Sequence, residues 1–259
     1  MRREGEARGV ESGQSNPNLW FLVLSSQFLV LSSQFLVLSS QFLVLSSLMS
    51  TSCIIVAGGS SRRMGNDKRR LRLWSDCGPM LLEHMVTRAA RISDDVVVAL
   101  NDPAAWSGLP ARLVCDEIAH GGPLAGLAAG LAVCRYEYAL AMACDLPLVQ
   151  DALIDALLAY PRPYDALAPL RPNDGARAPR NALAVEPLLA VYRRTCLPAI
   201  RACLQRGARA LVDPLGMIDT RYLAPDVWRQ YDPHGLSFIN LNRPEDVARV
   251  KTIIADGGR

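Results

Sequence analysis

Apolar residues along this chain fall into short unbroken runs separated by stretches of mixed polarity. From residue 52 onward the runs are Ser52–Ala57, Asp95–Leu100, Arg112–Cys115 and Ala139–Cys144. Between them, apolar residues recur every three or four positions. Leu82, Met85, Val86 and Ala89 do so within Pro79–Ile92, and Leu124–Cys134 is rich in alanine and leucine. Runs without alternation predict strands buried on both faces, and the longer period predicts helices. Strand and helix in turn predict a three-layer α/β domain with a mostly parallel central sheet. The second half is less regular. Strands are expected over Tyr164–Pro169, Glu186–Tyr192 and Ser237–Leu241, and helices over Asp151–Tyr160, Thr195–Arg206 and Arg243–Ile253. Pro198 and Pro244 sit in first turns, where proline is tolerated. Arg171–Arg180, rich in Pro, Gly and Arg, reads as a mobile loop.

The first fifth breaks this pattern. The heptad FLVLSSQ recurs four times over residues 21–48, its last copy ending in Leu48. Four consecutive apolar residues per repeat point all round a helix, so no coiled-coil stripe forms. The Ser-Ser-Gln interruptions cut every run below membrane-spanning length. The leading segment mixes Arg2, Arg3 and Arg8 with Glu4, Glu6 and Glu11, which does not suit a secretory signal. Residues 1–49 are therefore expected to be a low-complexity extension, disordered or the product of a misassigned start with Met49 as the true first residue. Residues 50–259 are expected to form one domain.

Composition narrows the class. Half the residues are apolar, enough for a sizeable core, and a net charge of +3 selects neither nucleic acid nor a membrane as partner. Lysine and arginine together number 28, yet only Lys68 and Lys251 are lysines. Seven cysteines form no Cys-x-x-Cys pair, and histidines number three. This usage fits reduced thiols in a cytoplasmic protein and disfavours a zinc site.

Candidate chemistry gathers where strands end. In open α/β sheets, ligands bind beyond the carboxyl ends of the strands. "VAGGSSRRMGNDK", Val56–Lys68, follows the first strand. Five residues separate Gly59 from Gly65, and Asn66 and Asp67 precede the lysine, so the stretch fits neither the P-loop nor the dinucleotide fingerprint. Paired glycines followed by Arg62, Arg63 and Lys68 suit a polyphosphate; the alternative is a solvent-exposed basic loop. Asp116 follows the third strand and Asp145, in "ACDLP", the fourth. A strand-end carboxylate beside a phosphate loop can hold Mg²⁺, and Asp145 lies too far before Asp151 to cap the next helix. "HGGPLAGLAAGL", from His120, opens a small-residue helix whose start faces an anion or merely packs closely. Asn240 and Asn242, in "FINLNRPED", would share one side of a strand and reach the metal or a second substrate; equally, they cap the last helix.

Taken in order, "VAGGSSRRMGNDK", "GPLAGL", "ACDLP", "EPLLAVY" (Glu186–Tyr192) and "FINLNRPEDV" resemble the molybdenum cofactor guanylyltransferases, from about Cys53 to Val250. The first motif alone marks the wider nucleotidyltransferase superfamily. The resemblance implies a Rossmann-like fold and a Mg²⁺-dependent enzyme that transfers GMP from GTP to the phosphate of molybdopterin, releasing pyrophosphate. It places Val56, Ala57, Gly58 and Gly59 along the nucleotide, Lys68 and Arg63 on its phosphates, Asp116 against the nucleotide and Asp145 on both nucleotide and metal. It implies transient contact with molybdoenzymes or other cofactor-assembly proteins. One departure is visible: the family often carries Asn directly after the "VVV" run, where this chain has Ala99, with Asn only at 101. Rival readings are a cytidylyltransferase or other sugar- or alcohol-phosphate nucleotidyltransferase, and a non-catalytic nucleotide-binding protein on the same fold.

Overall fold

A computed structural model describes residues 51–58, 67–115, 118, 121–171 and 184–257. The extension expected over residues 1–49 lies outside these. Among the described residues the elements are β1 (Thr51–Val56), α1 (Leu81–Ile92), β2 (Val96–Ala99), β3 (Arg112–Val114), α2 (Gly122–Val133), β4 (Tyr138–Ala143) and α3 (Asp151–Leu158). They continue with β5 (Ala166–Pro169), β6 (Leu189–Arg193), α4 (Leu197–Gln205), β7 (Thr220–Leu223), α5 (Pro225–Trp228) and α6 (Pro244–Ala255).

The strands form one sheet in the order β3-β2-β1-β4-β6-β5-β7. Only β6 runs antiparallel to its neighbours; the other pairings are parallel. The mostly parallel α/β sheet expected from the hydrophobic runs is therefore present. Every residue of β1, β2 and β4 is buried, as strands covered on both faces require. The chain leaves β1 toward β2 on one side and returns to β4 on the other. The carboxyl ends of β1 and β4, held in register from Thr51↔Tyr138 to Val56↔Ala143, thus flank the point where a doubly wound sheet opens a crevice.

Helix starts follow from local chemistry. The Glu83 carboxylate accepts the Met80 N–H at 2.7 Å, which places the first turn of α1 after Pro79, and Leu81, Leu82, Met85, Val86 and Ala89 form its buried side. The start of α2 needs both its glycines. Gly122 sits at φ +68°, and a Cβ on Gly121 would lie 2.4 Å from the Ala125 Cβ. Further along, Gly130 lets α2 approach β1: a Cβ there would come within 2.5 Å of Ile54 Cγ2.

Two expectations needed correction. Ser237–Leu241 is not a strand. Its first residues form a 3₁₀ turn over Leu236–Phe238, because the buried Asp232 carboxylate accepts the N–H groups of Leu236 (3.0 Å) and Ser237 (2.8 Å). A local polar anchor overrides the β-prone sequence. The period-two argument that set Asn240 and Asn242 on one side of a strand lapses with it. The strand expected from Glu186 begins only at Leu189 and runs antiparallel to its neighbours; the Glu186 side chain turns instead to Arg171. Conversely, β7 and α5 were not anticipated; "TRYL" is half exposed and carries no run of apolar residues.

Candidate active site

A cleft of about 260 Å³ opens at the carboxyl ends of β1 and β4. Its walls are Val56 at the end of β1 with Ala57 and Gly58 just past it, Lys68 and Arg69, Pro123 in the first turn of α2, and Ala143 at the end of β4 with Cys144 and Asp145 just past it, with Leu188 beside them. Backbone bonds hold the strand ends in place. Ala57 N–H donates to Ala99 O (2.8 Å), Cys144 N–H to Val56 O (3.1 Å) and Ala143 N–H to Leu188 O (2.8 Å).

Asp145 is the centre of the polar wall. Its carbonyl accepts the Leu241 N–H at 3.0 Å, so the segment expected to be a strand docks here by one backbone bond. Its carboxylate lies 3.5 Å from Lys68 Nζ. The same ammonium donates to Asn242 Oδ1 at 3.3 Å. Asn242 is fixed in turn: Asp246, in the first turn of α6, accepts the N–H groups of Asn242 (2.8 Å) and Arg243 (2.7 Å). Three residues from three distant stretches therefore meet at one point. Burial pushes the Asp145 carboxyl above its ordinary range, and the Lys68 charge opposes that shift without cancelling it.

Of the residues singled out from sequence, the cleft gathers Val56, Ala57, Gly58, Lys68 and Asp145, with Asn242 at its edge. Asn240, two residues earlier, is partly buried. Gly59, Arg63 and Asp116 lie outside the described residues. Arg69 was missed, since nothing in sequence brings it near a residue 33 positions away; it reaches Asp102. Glu186 was read only as part of a strand motif. It is buried, accepts from Arg171 Nε at 2.7 Å, and burial raises its carboxyl while Arg171 opposes.

The donor set suits a hard cation. A carboxylate and an amide oxygen stand beside the place where phosphates would lie, and Mg²⁺ needs only one or two carboxylates when phosphate oxygens and water complete its shell. Among the described residues no three His, Cys, Asp or Glu side chains cluster. All seven cysteines are free. No described helix is long and apolar enough to cross a membrane.

Comparison with known proteins agrees with this geometry. A family model, the MobA-like NTP transferase domain, matches residues 53–220. The chain is 42% identical over 210 residues to a probable molybdenum cofactor guanylyltransferase of Chloroflexus aggregans, covering 80% of this chain and 96% of that one. It is 33% identical to the molybdenum cofactor guanylyltransferase of Syntrophotalea carbinolica, covering 75% and 88%. Among solved structures it is similar to molybdopterin-guanine dinucleotide biosynthesis protein A from Archaeoglobus fulgidus, with a TM-score of 0.64, 24% identity, and coverage of 80% and 100%. The fold is also that of a 2-C-methyl-D-erythritol 4-phosphate cytidylyltransferase from Thermus thermophilus, with a TM-score of 0.58, 22% identity, and coverage of 80% and 100%. With its strand-end cleft and the family model spanning most of its sheet, the chain belongs to the MobA-like NTP transferase family, alongside the molybdenum cofactor guanylyltransferases.

Proposed function

We propose that this chain transfers GMP from GTP to the terminal phosphate of molybdopterin, forming the guanine dinucleotide cofactor and pyrophosphate. The observation that carries the reading is the meeting of Lys68, Asp145 and Asn242 at the mouth of the cleft between β1 and β4. Relatives at up to 42% identity bear the guanylyltransferase name, which supports the choice of nucleotide and acceptor.

An oxygen of the molybdopterin phosphate attacks the α-phosphorus of GTP. The new P–O bond forms as the bond to the β-phosphate oxygen breaks, and pyrophosphate leaves with that electron pair. The nucleophile is already an anion, so no side chain has to remove a proton. The work of the protein is positioning and charge neutralisation. The small residues Ala57 and Gly58 let the nucleotide come close to the end of β1. Lys68 holds phosphate oxygens and offsets charge on the departing pyrophosphate. Asp145 and the Asn242 amide oxygen orient Lys68, and Asp145 is the residue that would hold Mg²⁺. That ion, when bound with the nucleotide, would neutralise phosphate charge as a Lewis acid. In this reading the protein works in the cytoplasm and passes its product to molybdoenzymes or cofactor-assembly partners.

The test is pyrophosphate release by purified protein given Mg²⁺, molybdopterin and each nucleoside triphosphate in turn. GTP should support release and CTP should not. Release with CTP and none with GTP would replace the guanylyl reading by a cytidylyl one.

A further inference from the structure

Arg69 lines the cleft beside Lys68, where a second phosphate-binding cation would be expected. Its hydrogen bonds tell against that role. Nε donates to Asp67 Oδ1 and Nη2 to Asp67 Oδ2, both at 2.8 Å. Nη2 also donates to Asp102 Oδ2 at 2.9 Å, and Nη1 to Asp102 Oδ1. A guanidinium has five N–H groups, and four are engaged by these two carboxylates. Two carboxylates face its charge, Asp67 also lying 3.7 Å from Arg70 Nε. Burial alone would lower its pKa, but the bonds to Asp67 and Asp102 raise it further from neutrality.

The three residues Lys68–Arg70 form a single 3₁₀ turn, too short to hold itself. Asp67 caps it by accepting the Arg69 N–H at 3.0 Å. Asp102 sits three residues past β2, whose register with β1 is fixed through Val56↔Ala99. The buried Trp106 lies under the turn, its ring centroid 5.5 Å from the Arg69 guanidinium carbon and 4.9 Å from that of Arg70. The turn is thus fastened to the β2 side of the cleft, while the Lys68 side chain reaches across to Asp145 on the β4 side.

We propose that Arg69, gripped between Asp67 and Asp102, is a positioning residue that acts through Lys68 and does not itself bind phosphate. This rests on the reading of the cleft as the nucleotide site. A bidentate fork on both carboxylates is what the geometry uses, so lysine at this position cannot replace arginine.

A double-mutant cycle tests it. Asp102→Asn and Arg69→Lys are made in the wild-type and Lys68→Ala backgrounds. GTP dissociation constants are measured with Mg²⁺ by calorimetry, and pyrophosphate release wherever turnover persists. In the wild-type background both substitutions should weaken GTP binding roughly fivefold or more and lower kcat by on the order of tenfold, with the KM for molybdopterin little changed. In the Lys68→Ala background the same substitutions should change GTP affinity by less than about twofold, because coupled residues are non-additive. Full losses in both backgrounds would show that Arg69 meets the nucleotide directly or acts independently, and would overturn the proposal. So would unchanged binding in the wild-type background. Wild-type protein that binds no GTP would sink the functional reading itself, which is a different failure.

Discussion

At the scale of single residues, the proposed role of Asp145 sets function against stability. Burial disfavours its ionised form, so its carboxyl sits above the ordinary range. A carboxyl raised in the fold binds its proton more tightly there than in the unfolded chain. Its charged form therefore weakens the fold above that pKa, and the penalty is relieved as pH falls through it. Asp145→Asn should lower kcat by on the order of 10²–10³ while leaving Tm at neutral pH equal or higher. Thermal unfolding beside turnover checks both; a variant that loses activity only because it unfolds would contradict the account. Asp145 could be singled out in sequence because a carboxylate directly after an apolar run has few structural reasons to be there, and Lys68 because it closes a glycine-rich stretch after β1; Asn242 was singled out from a strand that does not form. Arg69 was not legible. Its meaning lies in Asp102 and Trp106, which are close in space but separated from it in the chain.

At the scale of elements, sequence reading succeeded where burial is two-sided and failed where polar anchors decide. The runs that became β1, β2 and β4 are mostly apolar without alternation and are buried throughout, as a two-sided sheet requires. Ser237–Leu241 is also β-prone, but the Asp232 carboxylate captures the N–H groups of Leu236 and Ser237 and turns the chain there. Asp95 is the counterpart at the other end of the sheet. It is 2% exposed and accepts from Ser52 Oγ (2.5 Å), the Arg135 N–H (2.8 Å) and Arg112, tying the starts of β1, β2 and β4 together. Burial pushes its carboxyl up, but these bonds together outweigh burial and hold it below the ordinary range. Its contribution is therefore present above about pH 4 and is lost as pH falls through its lower folded value. Asp95→Asn should cost about 1–3 kcal/mol at neutral pH and flatten the acid loss of stability, as urea unfolding across pH would record. Close packing of α2 on β1 gives a second check. Gly130→Ala drives a Cβ to 2.5 Å from Ile54 Cγ2, and overpacking of this kind costs about 1–3 kcal/mol. A denaturation midpoint unchanged from wild type would show that Ile54 can move aside.

At the scale of the whole molecule, the sheet order explains why the site lies where it does. Reversal of strand order between β1 and β4 opens a crevice there, and the chain brings Gly58, the first turn of α2 and a strand-end aspartate to it. Fold class and strand-end chemistry could be read from hydrophobic runs and their endings. The choice of guanine over cytosine came instead from the resemblance of the ordered motifs, since the fold alone is shared by proteins named for guanine and for cytidylyl transfer. The central claim is guanylyl transfer, and its most direct measurement is pyrophosphate release with Mg²⁺ and molybdopterin under GTP or CTP. The account predicts release that matches molybdopterin consumed with GTP and falls to background with CTP or when molybdopterin is omitted. GTP bound without any release, or release with CTP alone, would contradict it.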